Sequence, residues 1–133
     1  MIKNLLPFLL LLLLLTGCNK TKSVVYFSSQ PISNTATPEI VFQPSRKINF
    51  ILLSNDEFLS NTVRMQIVKF KKDIPNYLGI SIAQAKDFNV VKESKYLVGS
   101  FTLYEPSKYL VRFFGNNDNI KPMAEKYIFI EEN

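Results

Sequence analysis

The chain offers few side chains able to do chemistry. It has no histidine, so the commonest general base, proton shuttle and metal ligand is missing. It has one cysteine, Cys18. What remains is carboxylates, hydroxyls, lysines and tyrosines. The acidic groupings are Asp56-Glu57, Asp87 with Glu93, and Glu131-Glu132. A glycosidase needs two carboxyls about 5–9.5 Å apart across its substrate, and none of these pairs stands in such a context. Solvated turn residues account for them. The loop Gly115-Asn116-Asn117-Asp118-Asn119 is rich in oxygen, but it lacks the spaced carboxylates and closing Glu of a calcium loop. Asn and Gly favour left-handed turn geometry, so a hairpin turn is expected there. Four glycines in the whole chain make no phosphate-binding loop. The expectation is a protein that is not an enzyme and that uses no cofactor or metal.

Cys18 has a distinctive setting. Lys3 is followed by an apolar run from Leu5 to Leu15. That run is too short for a membrane-spanning helix, which needs about 20 residues, and it suits the apolar part of an export signal. Asn19, Lys20, Thr21, Lys22 and Ser23 then end it abruptly. A lone cysteine in an exported chain has no internal disulfide partner and needs another account. Leu15-Thr16-Gly17-Cys18 resembles the lipobox of bacterial lipoproteins. The resemblance implies cleavage before Cys18 and lipidation of the new N-terminal cysteine by acyl chains such as palmitate. Two or more chains suffice for stable anchoring, at about 0.8 kcal/mol per buried CH₂. Asn19 stands where an Asp would imply retention in the inner membrane. The resemblance therefore implies the outer membrane, if the cell has one, and a site facing the periplasm or the surface.

Removing residues 1–17 leaves 116 residues, enough for one domain with one core. The formal charge of the whole chain is +5, with Lys69, Lys71 and Lys72 as the one tight basic cluster. Scattered charge of this kind serves solubility. Export and the lack of a recognised motif argue against nucleic-acid binding. Residues 19 to 37 are rich in Asn, Thr, Ser and Lys, with Pro31 and Pro38 as breakers, and suit a flexible tether. Val24 to Phe27 is an apolar island within it, compatible with a docking strand or with a sticky part of the linker.

From Glu39 onward the pattern is β. Strands are expected at Ile40–Gln43, Lys47–Ser54, Thr62–Phe70, Tyr77–Ile82, Asp87–Val91, Tyr96–Tyr104, Lys108–Phe114 and Glu125–Glu131. One helical turn is expected at Ala83–Lys86, and Gly79 marks an edge or bulge. The clearest alternation is Val63, Met65 and Ile67 against Arg64 and Gln66. Seven or eight short strands with turns every 8–12 residues predict an all-β sandwich. The order of parts is then a signal peptide at 1–17, a lipidated tether at 18–37 and a sandwich at 38–133. Glu105-Pro106-Ser107-Lys108-Tyr109-Leu110-Val111 looks like a tyrosine corner. On these residues the last hairpin resembles bacterial immunoglobulin-like and fibronectin-like domains. With no Trp and no cysteine pair, antibody-type membership is excluded.

The functional expectation is a membrane-anchored, non-catalytic immunoglobulin-like β-sandwich that binds a protein partner in the cell envelope, as an assembly factor or an inhibitor. The candidate partner surface is Tyr104, Phe114, Asn116, Asn117 and Asp118, with Cys18 as the lipidation site. The alternative is a module binding cell-wall carbohydrate, which needs two or three coplanar exposed aromatics.

Overall fold

The computed structural model describes residues 23–70, 80–116 and 118–132. Among them are eight strands and no helix. These are β1 (Val24–Ser28), β2 (Val41–Phe42), β3 (Lys47–Leu53), β4 (Thr62–Phe70), β5 (Ile80–Asn89), β6 (Tyr96–Thr102), β7 (Ser107–Phe114) and β8 (Ala124–Ile130). They form a three-stranded sheet, β1-β3-β6, packed on a five-stranded sheet, β2-β8-β7-β4-β5. All pairs are antiparallel except β2 with β8.

The period-2 pattern builds the core. Val63, Met65 and Ile67 of β4 and Tyr109, Val111 and Phe113 of β7 turn inward from one sheet. Ile48, Phe50 and Leu52 of β3 and Leu97 and Phe101 of β6 meet them from the other. Phe50 is the hub: its ring centroid lies 4.9 Å from Phe113, 5.2 Å from Phe88 and 6.3 Å from Phe101. Gly99 sits opposite Phe50 in the β3–β6 register. A Cβ there would lie 2.6 Å from Phe50 Cζ and 2.9 Å from Phe88 Cε1. The glycine leaves the notch that the two rings fill.

The tyrosine corner is present. Tyr109 is buried, and its hydroxyl donates to the Glu105 carbonyl at 2.7 Å. Burial pushes the phenol pKa up. Strand order and corner together give the immunoglobulin-like sandwich expected from the sequence.

Two expectations are corrected. The first is the extent of the tether. β1 lies inside residues 18–37, yet it pairs along its whole length with β3 and buries Val25 and Phe27. The sandwich therefore starts near Val24, not at residue 38, because β3 needs a partner and the core needs the Phe27 ring, which packs edge-on against Phe101 at 5.9 Å. The crossover from β1 to β2 is fastened by Glu39. Its carboxylate accepts from the Ser29 N–H and hydroxyl, both at 2.7 Å, and the Ser29 amide bond above all holds its pKa low.

The second is the helical turn at Ala83–Lys86, which is part of β5: ladder bonds to β4 outweigh the helix preference of Ala, Gln and Lys, which a four-residue run is too short to express. A register shift opposite Ile67 and Val68 leaves Ala83 without a direct partner, so the bulge falls there. Gly79, Tyr77 and the Lys71–Asn76 turn lie outside the described residues.

On the other face of β3 from Phe50, Ile51 and Leu53 are buried, with Val24, Tyr26 and Ile32 packed around them.

Two strands of the large sheet, the edge strand β5 and the inner strand β8, carry lysines on the inward phase. Lys86 of β5 shares the core-side face with Met65 and holds its ammonium 4.9 Å from the Phe88 ring. Lys126 of β8 shares that face with Val111 and sits 4.8 Å from the Tyr26 ring, and burial pulls its pKa down. On β5 the inward lysine and the bulge discourage edge-to-edge pairing.

Two outcomes test this architecture. Tyr109→Phe should cost about 1–3 kcal/mol, because the Glu105 carbonyl loses its donor, while exposed Tyr104→Phe should cost under about 0.5 kcal/mol; denaturant melts decide the order. A chain beginning at Thr37 should lose its cooperative melt, because removing the Phe27 ring alone costs about 3–5 kcal/mol of a total near 5–15 kcal/mol. A chain beginning at Ser23 should keep it.

Candidate functional site

The residues expected to form a partner surface are not brought together. Tyr104 is exposed in the β6–β7 connection, whereas Asn116 and Asp118 lie in the β7–β8 connection at the opposite end of β7. An eight-residue strand separates the two, about 25 Å. Asn117 lies outside the described residues, as does Cys18. Phe114 is corrected outright: it is 8% exposed, on the outward face of β7 in register with Arg64, with the Arg112 guanidinium 5.3 Å from its ring. Two long basic side chains flank the ring, so an outward phase does not make it accessible.

The end of the sandwich that carries Ser23 is formed by three connections, residues 54–61, 90–95 and 115–123. They are stitched to one another. Phe58 N–H donates to the Ser94 carbonyl at 2.9 Å, Glu93 N–H to the Phe58 carbonyl at 3.2 Å, and Leu59 N–H to Asn116 Oδ1 at 2.8 Å. The Phe58 ring is a buried plug under this end. Asn116 and Glu93 hold positive φ of 57° and 75°, a conformation in which Asn is at ease. Asp118 Oδ1 accepts from Ile120 and Lys121 N–H at 2.9 and 3.0 Å, and these two bonds hold its pKa low. A cleft of about 580 Å³ runs between the connections, lined by Ser23, Asn55, Asp56, Asp118, Lys121 and Met123 among others.

In the β7–β8 connection Asp118 Oδ1 accepts from the two backbone amides of a turn, and no group of three His, Cys, Asp or Glu able to hold a metal occurs among the described residues. Of the other carboxylates, Asp87 pairs with Arg64 at 2.9 Å and is held low by it. Asp56 and Glu57 are exposed turn residues at the Ser23 end, and Glu131 and Glu132 are exposed beyond β8 at the opposite end.

Sequence reasoning missed a different surface. In register across the outer face of the five-stranded sheet stand Ile82, Val68, Leu110 and Tyr127. The next row carries Phe70, Lys108, Phe129 and Val41. Phe70 and Tyr127 rings lie 5.8 Å apart, and the Lys108 ammonium sits 4.3 Å from the Tyr127 centroid and 5.8 Å from the Phe70 centroid. Ile82 is 62% exposed, with Val41 and Tyr127 at nearly half, while Val68 in the middle of the first row is buried at 6%. The outward face of such a sheet is ordinarily polar, as the adjacent row of Gln66, Arg112 and Glu125 is. The signal was there to find: Val68, Phe70 and Leu110 occupy the phase that Arg64, Gln66, Lys108 and Arg112 mark as solvent-facing.

Among the described residues the exposed tyrosines, Tyr96, Tyr104 and Tyr127, lie on the outer face of the small sheet, at the far end and on the outer face of the large sheet respectively. They do not form the coplanar platform that glycan binding requires.

The class that fold and site define is an all-β, immunoglobulin-like sandwich with an apolar sheet face. No protein-family model matches the chain, and no curated protein matches it in sequence. Solved structures similar to it include the following two. One is a β-glucosidase from Listeria innocua in complex with gluconolactone, at 6% identity and a TM-score of 0.42, over 85% of this chain and 16% of the glucosidase. The other is an immunoglobulin-like protein from Pseudomonas aeruginosa, at 11% identity and a TM-score of 0.40, over 85% of this chain and 93% of that one. At these values the likeness adds nothing to the argument from strand order and corner.

The turn account of the β7–β8 connection carries its own test. Calcium or a chelator should leave the thermal melt unchanged, and a marked shift with calcium would restore the loop as a metal site.

Proposed function

We propose that this protein is a lipid-anchored envelope lipoprotein whose non-catalytic sandwich binds a protein partner. The observation that carries the binding part is the apolar double row on the outer face of the five-stranded sheet. The aromatic pair has the composition of an interface centre, with Tyr127 and Phe70 supplying rigid apolar area, and Lys108 beside it supplies a charge for a carboxylate on the partner. Ion pairs of Arg64 with Asp87 and Arg112 with Glu125, at 2.9 and 3.3 Å, flank the patch as a polar rim. The anchoring part is supported by Leu15-Thr16-Gly17-Cys18 after an apolar run, and by a sandwich whose first strand begins six residues after Cys18. Use without catalysis is supported by the absence of histidine and by carboxylates already engaged or solvated. Assembly factor and inhibitor are both roles such a surface fits.

Two measurements test this. Intact mass of the protein purified from membranes should show acyl chains on Cys18, and Cys18→Ser should leave the precursor uncleaved. Cross-linking in the native envelope should yield a discrete protein adduct to the wild type. That adduct should fall with Tyr127→Ala, a truncation of the kind that costs about 2 kcal/mol or some 30-fold in affinity at an interface centre, and with Lys108→Glu. An adduct unaffected by both substitutions would move the partner off this face.

A further inference from the structure

The five most exposed large hydrophobic side chains among the described residues are Leu59, Ile82, Val91, Tyr104 and Ile120. Three of them sit at the Ser23 end, one on each connection: Leu59 at 69%, Val91 at 77% and Ile120 at 89%. We infer that this end is a membrane-contacting surface, with Leu59, Val91 and Ile120 seated in the interfacial layer of the bilayer that holds the Cys18 lipid. The inference rests on the lipoprotein reading and adds to it a second point of contact and a fixed orientation.

Chain length is the first argument. Five Cα–Cα steps separate Cys18 from Ser23, a reach of about 18 Å at most. Ser23 lines the cleft between the 54–61 and 115–123 connections, and Val24 is in register with Leu53, where the first of them begins. A lipid on Cys18 therefore holds this end close to the headgroups and directs the Tyr104 end away. Rigidity is the second. The bonds among Phe58, Ser94, Glu93, Leu59 and Asn116, and the Asp118 turn under Ile120, fix the backbone beneath all three apolar tips. Charge is the third, and it selects the kind of contact. On the three connections Lys92, Lys95 and Lys121 are matched by Asp56, Glu57, Glu93 and Asp118, so the connections themselves carry no basic excess to draw anionic lipid, and Lys20 and Lys22 of the preceding segment add only two cations. Apolar seating at the headgroup–acyl boundary is the contact this chemistry makes, and it would not depend on the anionic lipid fraction.

The chain contains no tryptophan, so single tryptophans report without background. Full-length Leu59→Trp, Val91→Trp, Ile120→Trp and, as a control, Tyr104→Trp would be purified from membranes. Each would be checked by intact mass for acyl chains on Cys18 and placed in phosphatidylethanolamine vesicles with and without phosphatidylglycerol. All four sites are exposed, and three independent positions guard against one that disturbs folding. Acyl chains on Cys18, with blue-shifted emission quenched by brominated lipid at positions 59, 91 and 120 but not 104, is the result expected, with equal quenching in both vesicle types. Acylated protein with no quenching at the three positions overturns the inference and leaves the anchor standing, which frees these tips for a protein partner. Equal quenching at position 104 overturns the orientation. Quenching that appears only with phosphatidylglycerol overturns the apolar contact in favour of an electrostatic one. Protein without acyl chains on Cys18 overturns the lipoprotein reading, and this inference with it.

Discussion

The Phe50 ring pressed into the notch left by Gly99 is the contact on which the sandwich closes. From that position it touches Phe113 of β7, Phe88 of β5 and Phe101 of β6, so a single side chain of the small sheet reaches two strands of the large one. Sheets stack about 10 Å apart, and side chains from both inner faces must interdigitate to fill that gap. A side chain at position 99 would contest space that the Phe50 and Phe88 rings already fill, and close-packed interiors do not absorb such a change cheaply. With no disulfide partner for Cys18 and no histidine or described metal cluster, cohesion here comes from aromatic packing and backbone ladders.

That closure has consequences outside the core. It turns Val63, Met65 and Ile67 inward, so the outward phase of β4 carries Arg64, Gln66, Val68 and Phe70. The first two have polar or ionic neighbours; the last two join Leu110, Tyr127, Ile82 and Phe129 as a continuous apolar surface. The same closure draws the three connections at the Ser23 end into one hydrogen-bonded cap over Phe58. The sandwich thus has a laterally facing apolar sheet, an end tied to the N-terminus and a far end carrying Tyr104. Under the proposed anchoring, the sheet face stands roughly upright from the membrane and is open to a partner from the side. The inward Lys86 and the bulge of β5 discourage strand addition at that edge of the large sheet.

Much of this was legible in one dimension where the governing interactions are local. β4 and β7 follow from alternation, because a residue's face is set by its position modulo two. The Tyr109 corner follows from a bond only four residues long. Other features depend on residues distant in the chain. Val24 to Phe27 reads as an apolar island in a polar linker, and its identity as part of strand β1 comes from β3, some twenty-five residues later. Ala83–Lys86 has a local helix preference that the β4 ladder overrides. Phe114 stands in an outward phase and is hidden by arginine stems and neighbouring strands, a burial that no periodicity can report.

What the sequence by itself determined is the chemical repertoire, the lipobox resemblance at Cys18, the all-β class and the corner, since each rests on residue identity or on short-range spacing. The tertiary structure decided where the domain begins, which outward-facing side chains are accessible, and that Ile82, Val68, Leu110 and Tyr127 form one row although they lie on four strands. Lateral registry between strands sets those relations. Registry comes from ladder hydrogen bonds and core fit summed over the whole sheet, so it is a property of the assembled sandwich and of no single segment.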